Sequence, residues 1–97
     1  MINNWFIYVL QSDKDEKLYI GISQDVTNRL KRHNMGLVRS TKGRRPFHLV
    51  GCKLLSSFEE ARSAEVRLKA FKDPARVCAW ITAESINTNL RDVAQLG

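Results

Sequence analysis

Two short apolar runs open the chain, Trp5 to Leu10 and Lys17 to Ile22, rich in β-branched and aromatic residues and separated by Ser12-Asp13-Lys14-Asp15-Glu16. That pattern predicts a β-hairpin. The first run lacks strict alternation, as expected of a strand covered on both faces. A turn centred between Asp13 and Lys14 would set Tyr8 directly opposite Tyr19, with both side chains leaving on one face. Gly21 is costly inside a strand unless something must approach the backbone closely. The pattern then changes to a helical period. Val26, Arg29, Leu30 and His33 share one side, Ser23 or Asp25 is available as the cap, and Gly36 or Asn34 ends the helix. From Leu37 to Phe47 no period survives, so this stretch reads as a long loop. In a domain this small such a loop is usually functional.

Phe47 to Leu55 predicts a third strand. A second helix begins at a capping box, Ser57 with Glu60 or, one register earlier, Ser56 with Glu59. Its apolar stripe is Ala61, Ala64, Leu68 and Phe71, and Glu65 stands inside it. A carboxylate there must be paired, protonated or holding a cation. Asp73-Pro74 starts a third helix that buries Val77, Trp80 and Ile81. The order is strand, strand, helix, strand, helix, helix. We expect an α+β domain, a three-stranded antiparallel sheet flanked by helices, over residues 1–82. Residues 83–97 read as a polar C-terminal surface tail, helical at most in part.

At 97 residues the chain is long enough for one domain burying roughly two thirds of its unfolded surface. No run is long enough to span a bilayer, and the N-terminus lacks the build of a secretion signal, so a cytoplasmic protein is expected. Cys52 and Cys78 do not suggest a disulfide framework or a zinc site and read as reduced, buried thiols. The net charge is +6, and its distribution says more than its sum. No acidic residue lies between Asp25 and Glu59, while Arg29, Lys31, Arg32, Arg39, Lys42, Arg44, Arg45 and Lys53 all do. A one-signed block of this kind attracts polyanions, nucleic acid foremost.

In order and spacing, Phe6-Ile7-Tyr8, Leu18-Tyr19-Ile20-Gly21-Ile22-Ser23, Asp25 through Arg29-Leu30, His33-Asn34 with Gly36, Ser40 to Pro46, and Ala64-Glu65 with Leu68-Lys69 form one set. That set resembles the GIY-YIG nuclease family, in particular its small single-domain UPF0213 or YhbQ-like group. The resemblance implies that Tyr8 and Tyr19 are the motif tyrosines, Arg29 the helix arginine, His33 the histidine one turn on, and Glu65 the metal-binding carboxylate. It also implies phosphodiester hydrolysis with one divalent ion, Mg²⁺ or Mn²⁺, and no small-molecule cofactor.

The residue chemistry fits. Arg29 offers a bidentate fork for phosphate, and Mg²⁺ often takes only one or two carboxylates. Tyr8 is the candidate general base, with a free phenol pKa of about 10 that Arg29, the metal and the basic surface should lower. His33 could accept its proton, and Tyr19 could orient water or phosphate. Arg32, Asn34, Arg39, Lys42, Arg44, Arg45, Lys53 and Lys69 are the candidate contacts to nucleic acid, DNA before RNA. Taken singly, each residue has another reading: a cross-strand aromatic pair for Tyr8 and Tyr19, or Glu65 paired with Arg62 or Lys69. Three departures from the family pattern stand out. Phe6 replaces a glycine, Ile22 replaces a lysine, and the asparagine expected after the metal-bearing helix is absent near Phe71, Lys72 and Asp73. The missing lysine and asparagine set an alternative expectation, a nucleic-acid-binding module of the same fold without useful catalysis. A homodimer or a protein partner is compatible with either.

Overall fold

A computed structural model describes residues 4–83. The C-terminal tail expected over 83–97 therefore lies, from residue 84 on, outside the described residues. Three antiparallel strands, β1 (Trp5–Ser12), β2 (Leu18–Ser23) and β3 (Phe47–Leu55), form one sheet in the order β2-β1-β3. Three α-helices accompany it: α1 (Val26–Asn34), α2 (Phe58–Phe71) and α3 (Pro74–Thr82). The expected α+β architecture is the observed one.

The central position of β1 explains its continuous apolar run, because Ile7, Tyr8, Val9 and Leu10 are all buried. Alternate residues serve different layers. Ile7 and Val9 pack with Ala64, Leu68, Val77 and Ile81, so α2 and α3 cover one face of the sheet. Tyr8, Leu10 and Phe47 pack with Tyr19, Val26 and Leu30 under α1 on the other. Among the described residues no helix is long and apolar enough to cross a membrane.

The helix ends follow from their sequences. Asp25 caps α1 by accepting from the Asn28 N–H at 3.0 Å, and Ser23 Oγ in turn accepts from the Asp25 N–H. Gly36, at φ +77°, closes α1 in a Schellman motif: Gly36 N–H reaches His33 O and Leu37 N–H reaches Arg32 O. Of the two capping registers at α2, Ser57 with Glu60 is the observed one, and Ser56 pairs with Glu60, not Glu59. Ser57 Oγ accepts from Glu60 N–H, while the Glu60 carboxylate accepts from the backbone and hydroxyl of Ser56. Asp73 caps α3 ahead of Pro74.

Three expectations are corrected. The hairpin register is shifted by two residues, so Tyr8 faces Gly21 and Leu10 faces Tyr19. The cause is the turn: Ser12 N–H bonds Lys17 O, Ser12 Oγ gathers the Lys14 and Asp15 N–H groups, and Glu16 takes a left-handed conformation at φ 63°. A two-residue shift preserves the face, so the tyrosines remain neighbours on a diagonal, with ring centroids 6.3 Å apart. The stretch expected as plain loop contains a 3₁₀ helix, Arg39–Arg44. Only Thr41 of it is buried, which leaves no period to read. Finally, the cysteines are free but not buried: Cys52 is exposed and Cys78 half-buried.

Candidate active site

The new register gives Gly21 its purpose. The ring of Tyr8 crosses over it, and a Cβ at residue 21 would lie 2.7 Å from both Cζ and Oη of Tyr8 and 3.1 Å from Cε2 of Tyr19. Only a residue without a side chain lets the Tyr8 hydroxyl lie over the edge strand. Below it, α1 brings Arg29 and His33 onto one face, one turn apart. His33 is fully buried, edge-on to Tyr19 at 4.7 Å between centroids and close to Phe47 at 5.9 Å. Its two ring nitrogens are both engaged. Nε2 lies 3.1 Å from Tyr8 Oη, and Nδ1 lies 2.8 Å from the hydroxyl of buried Thr41.

Burial governs the protonation states. It lowers the His33 pKa to about 4, with the nearby Arg29 guanidinium adding to the effect, so the imidazole is neutral at pH 7. It raises the Tyr8 phenol above its ordinary value. Arg29 acts in the opposite sense, by hydrogen bonding and by charge, while Tyr19 and Glu65 add to the rise. The expectation that the cations beside Tyr8 would lower its pKa is therefore corrected for the protein alone: desolvation outweighs Arg29. The resting pair is a protonated phenol beside a neutral imidazole.

Glu65 occupies a separate wall. Its helix, α2, lies on the Ile7/Val9 face, yet the carboxylate charge is felt at the Tyr8 hydroxyl. Glu65 is 8% exposed, and both its oxygens are paired, with Arg62 Nη1 at 2.9 Å and Lys69 Nζ at 3.2 Å. Of the three options for a carboxylate in that stripe, pairing is the observed one. Among the described residues no three His, Cys, Asp or Glu side chains gather as a metal cluster. Glu65 still suits a hard divalent cation as a single protein ligand, because such ions accept water and phosphate oxygens for the rest. Its two present partners, Arg62 and Lys69, are mostly solvent-exposed.

The basic residues divide. Arg32 on α1 and Arg39, Lys42 and Arg45 beside it are exposed. Arg44 is occupied by structure, pairing with Asp15 at 3.1 Å, donating to Leu18 O and lying over Phe47. The amide of Asn34 mimics a backbone unit, donating to Phe47 O and accepting from Phe47 N–H at 2.7 Å. It holds the start of β3 and is not free for substrate. Lys53 pairs in register with Ile7 and so stands on the opposite face from Tyr8, its ammonium 4.2 Å from the centre of the Trp80 ring. Lys69 is engaged by Glu65. Sequence reasoning missed Thr41 as a partner of His33. It stands in a polar, charged stretch where nothing marks it as buried.

Residues 4–76 match the family model described as the GIY-YIG catalytic domain. UPF0213 proteins of several Staphylococcus aureus strains are 34% identical over 71 residues, covering 72% of this chain and 85% of theirs. A UPF0213 protein from Bacillus halodurans, solved in solution by NMR, is 34% identical with a TM-score of 0.48, covering 75% of this chain and 78% of that one. The match of residues 4–76 to the family model and the identity to the Staphylococcus aureus proteins show that the chain belongs to the GIY-YIG catalytic domain family, in its UPF0213 group.

Proposed function

We propose that this chain is a divalent-metal-dependent endonuclease, acting in the cytoplasm on DNA phosphodiester bonds, with structure-directed or weakly sequence-selective action of the kind repair and recombination require. The observation that carries the reading is the Tyr8 hydroxyl, held over Gly21 beside a neutral imidazole and within the field of the Arg29 guanidinium. Hydrolysis needs a proton acceptor for water, charge to hold the phosphoryl oxygens, and relief for the leaving oxyanion. Arg29 holds the phosphate through its fork. Tyr8 takes the proton from the attacking water once its own has passed to His33 Nε2, and Tyr19 orients the phosphate. Glu65 would hold the Mg²⁺ or Mn²⁺, which when bound supplies positive charge that stabilises the phenolate and the leaving oxygen. Arg32, Arg39, Lys42 and Arg45 engage the backbone, which positions the duplex without reading bases. Paired cuts would need a second copy or a protein partner.

Incubating supercoiled, branched and single-stranded DNA with the protein and Mg²⁺ tests this. Cleavage should vanish with chelator and with Glu65→Ala; cleavage that survives both rules the mechanism out. The second reading, a binding module without catalysis, draws on the full pairing of Glu65 by Arg62 and Lys69 and on the raised Tyr8 phenol. It predicts salt-sensitive DNA binding with no cut in any substrate.

A further inference from the structure

We propose that Thr41 is a positioning residue that sets the tautomer of His33, so that the lone pair of Nε2, not an N–H, faces Tyr8. The inference deepens the nuclease reading and rests on it for its catalytic consequence, although the tautomer itself does not depend on any activity.

The reasoning is one of donor and acceptor polarity. A neutral imidazole carries one N–H and one lone pair, and both His33 nitrogens have oxygen partners. The direction of the chain is set by its acceptor end. At that end the Thr41 hydroxyl lies 3.3 Å from the carbonyl oxygen of Val38, which can only accept. With its proton on Val38 O, the Thr41 hydroxyl accepts from His33 Nδ1–H, which leaves the lone pair of the neutral ring on Nε2. Tyr8 O–H donates to His33 Nε2, His33 Nδ1–H donates to Thr41 Oγ1, and Thr41 O–H donates to Val38 O. Reversal would turn the Thr41 proton away from Val38 O and leave the Tyr8 proton without its His33 partner in a buried site. Thr41 is fully buried, and its 3₁₀ turn is closed by its own N–H on Val38 O at 3.1 Å, so acceptor and hydroxyl are held by the same turn. The catalytic consequence is direct. Nε2 can take the Tyr8 proton only if it is unprotonated, and the resulting imidazolium keeps its Nδ1–H on Thr41.

The test is long-range ¹H–¹⁵N correlation of the imidazole nitrogens in the full chain at pH 7, without DNA or metal, with the His33 signals assigned by comparison with His48→Gln. Wild type should show Nδ1 protonated and Nε2 bare. Thr41→Val, close to isosteric, should shift His33 toward the Nε2–H form. It should also lower kcat by roughly tenfold or more with DNA affinity unchanged. Thr41→Ser should restore both. A wild-type Nε2–H form overturns the proposal whether or not the valine variant folds, and so does a folded Thr41→Val that keeps Nδ1–H. A wild type that shows the expected tautomer but cuts no DNA refutes the nuclease reading and leaves the Thr41 assignment standing.

Discussion

Burying a neutral histidine makes folding depend on pH, and His33 allows the size of that dependence to be worked out. Its pKa moves from the ordinary 6.5 to about 4 in the folded protein. Between those values the unfolded chain binds a proton that the folded chain refuses. Stability is therefore full above pH 6.5, falls as pH falls toward 4, and loses nothing further from this group below that. From pH 6.5 to pH 5 the loss is about 2 kcal/mol, and about 3 kcal/mol once pH 4 is reached. That is a large share of the stability of a domain of this size, commonly about 5–15 kcal/mol. Asp15, whose pKa is lowered chiefly by the Lys17 backbone N–H, and Glu60, lowered chiefly by the Ser56 hydroxyl, also lose stabilisation on acidification. Theirs is lost near and below the ordinary carboxylate range, so the interval from pH 6.5 to 5 isolates the histidine. Urea unfolding at half-unit steps across that interval is the assay, with His33→Gln as the control. Wild type should lose about 2 kcal/mol and the glutamine variant far less. A flat wild-type profile, or the same slope in the variant, refutes the claim that burial holds His33 neutral.

Other substitutions probe the neighbouring parts. Gly21→Ala places a methyl against the Tyr8 ring and should cost about 1–3 kcal/mol in urea unfolding, with DNA cleavage falling further than stability alone explains. Asn34→Ala removes two hydrogen bonds to Phe47 and should destabilise by roughly 2 kcal/mol, leaving DNA affinity at pH 7 unchanged in filter binding. Arg39→Ala, Lys42→Ala and Arg45→Ala should each reduce the slope of log affinity against log salt by about 0.9 if the residue meets one phosphate. Lys53→Ala, on the far face over Trp80, should leave that slope as it is.

The fold was legible where local chemistry decides it. The unalternating run of β1 announced a strand covered on both faces, Ser57 with Glu60 and Asp73-Pro74 announced two helix starts, and Arg29 and His33 four residues apart announced a shared helix face. The register was not legible, because the serine-organised turn at Ser12 and the left-handed Glu16 moved the pairing by two residues. The tyrosines stayed together because side-chain direction in a strand repeats every two residues. Lys53 was misplaced for a related reason: its face depends on how β3 pairs with β1, which charge patterning does not reveal. Thr41 was hidden because a single buried residue in a 3₁₀ turn has no period. The direction of the Tyr8 shift was misjudged because counting cations from sequence omits desolvation, the larger effect here.

The central claim is that the Tyr8 hydroxyl, beside His33 Nε2, takes part in the chemistry and does more than fill the core. Tyr8→Phe removes that one oxygen and keeps the ring over Gly21, so the direct measurement is Mg²⁺-dependent DNA cleavage by this variant beside wild type, with DNA affinity measured in parallel. The account predicts that affinity is retained and cleavage falls by about 100-fold or more. Cleavage by Tyr8→Phe at the wild-type rate would contradict it.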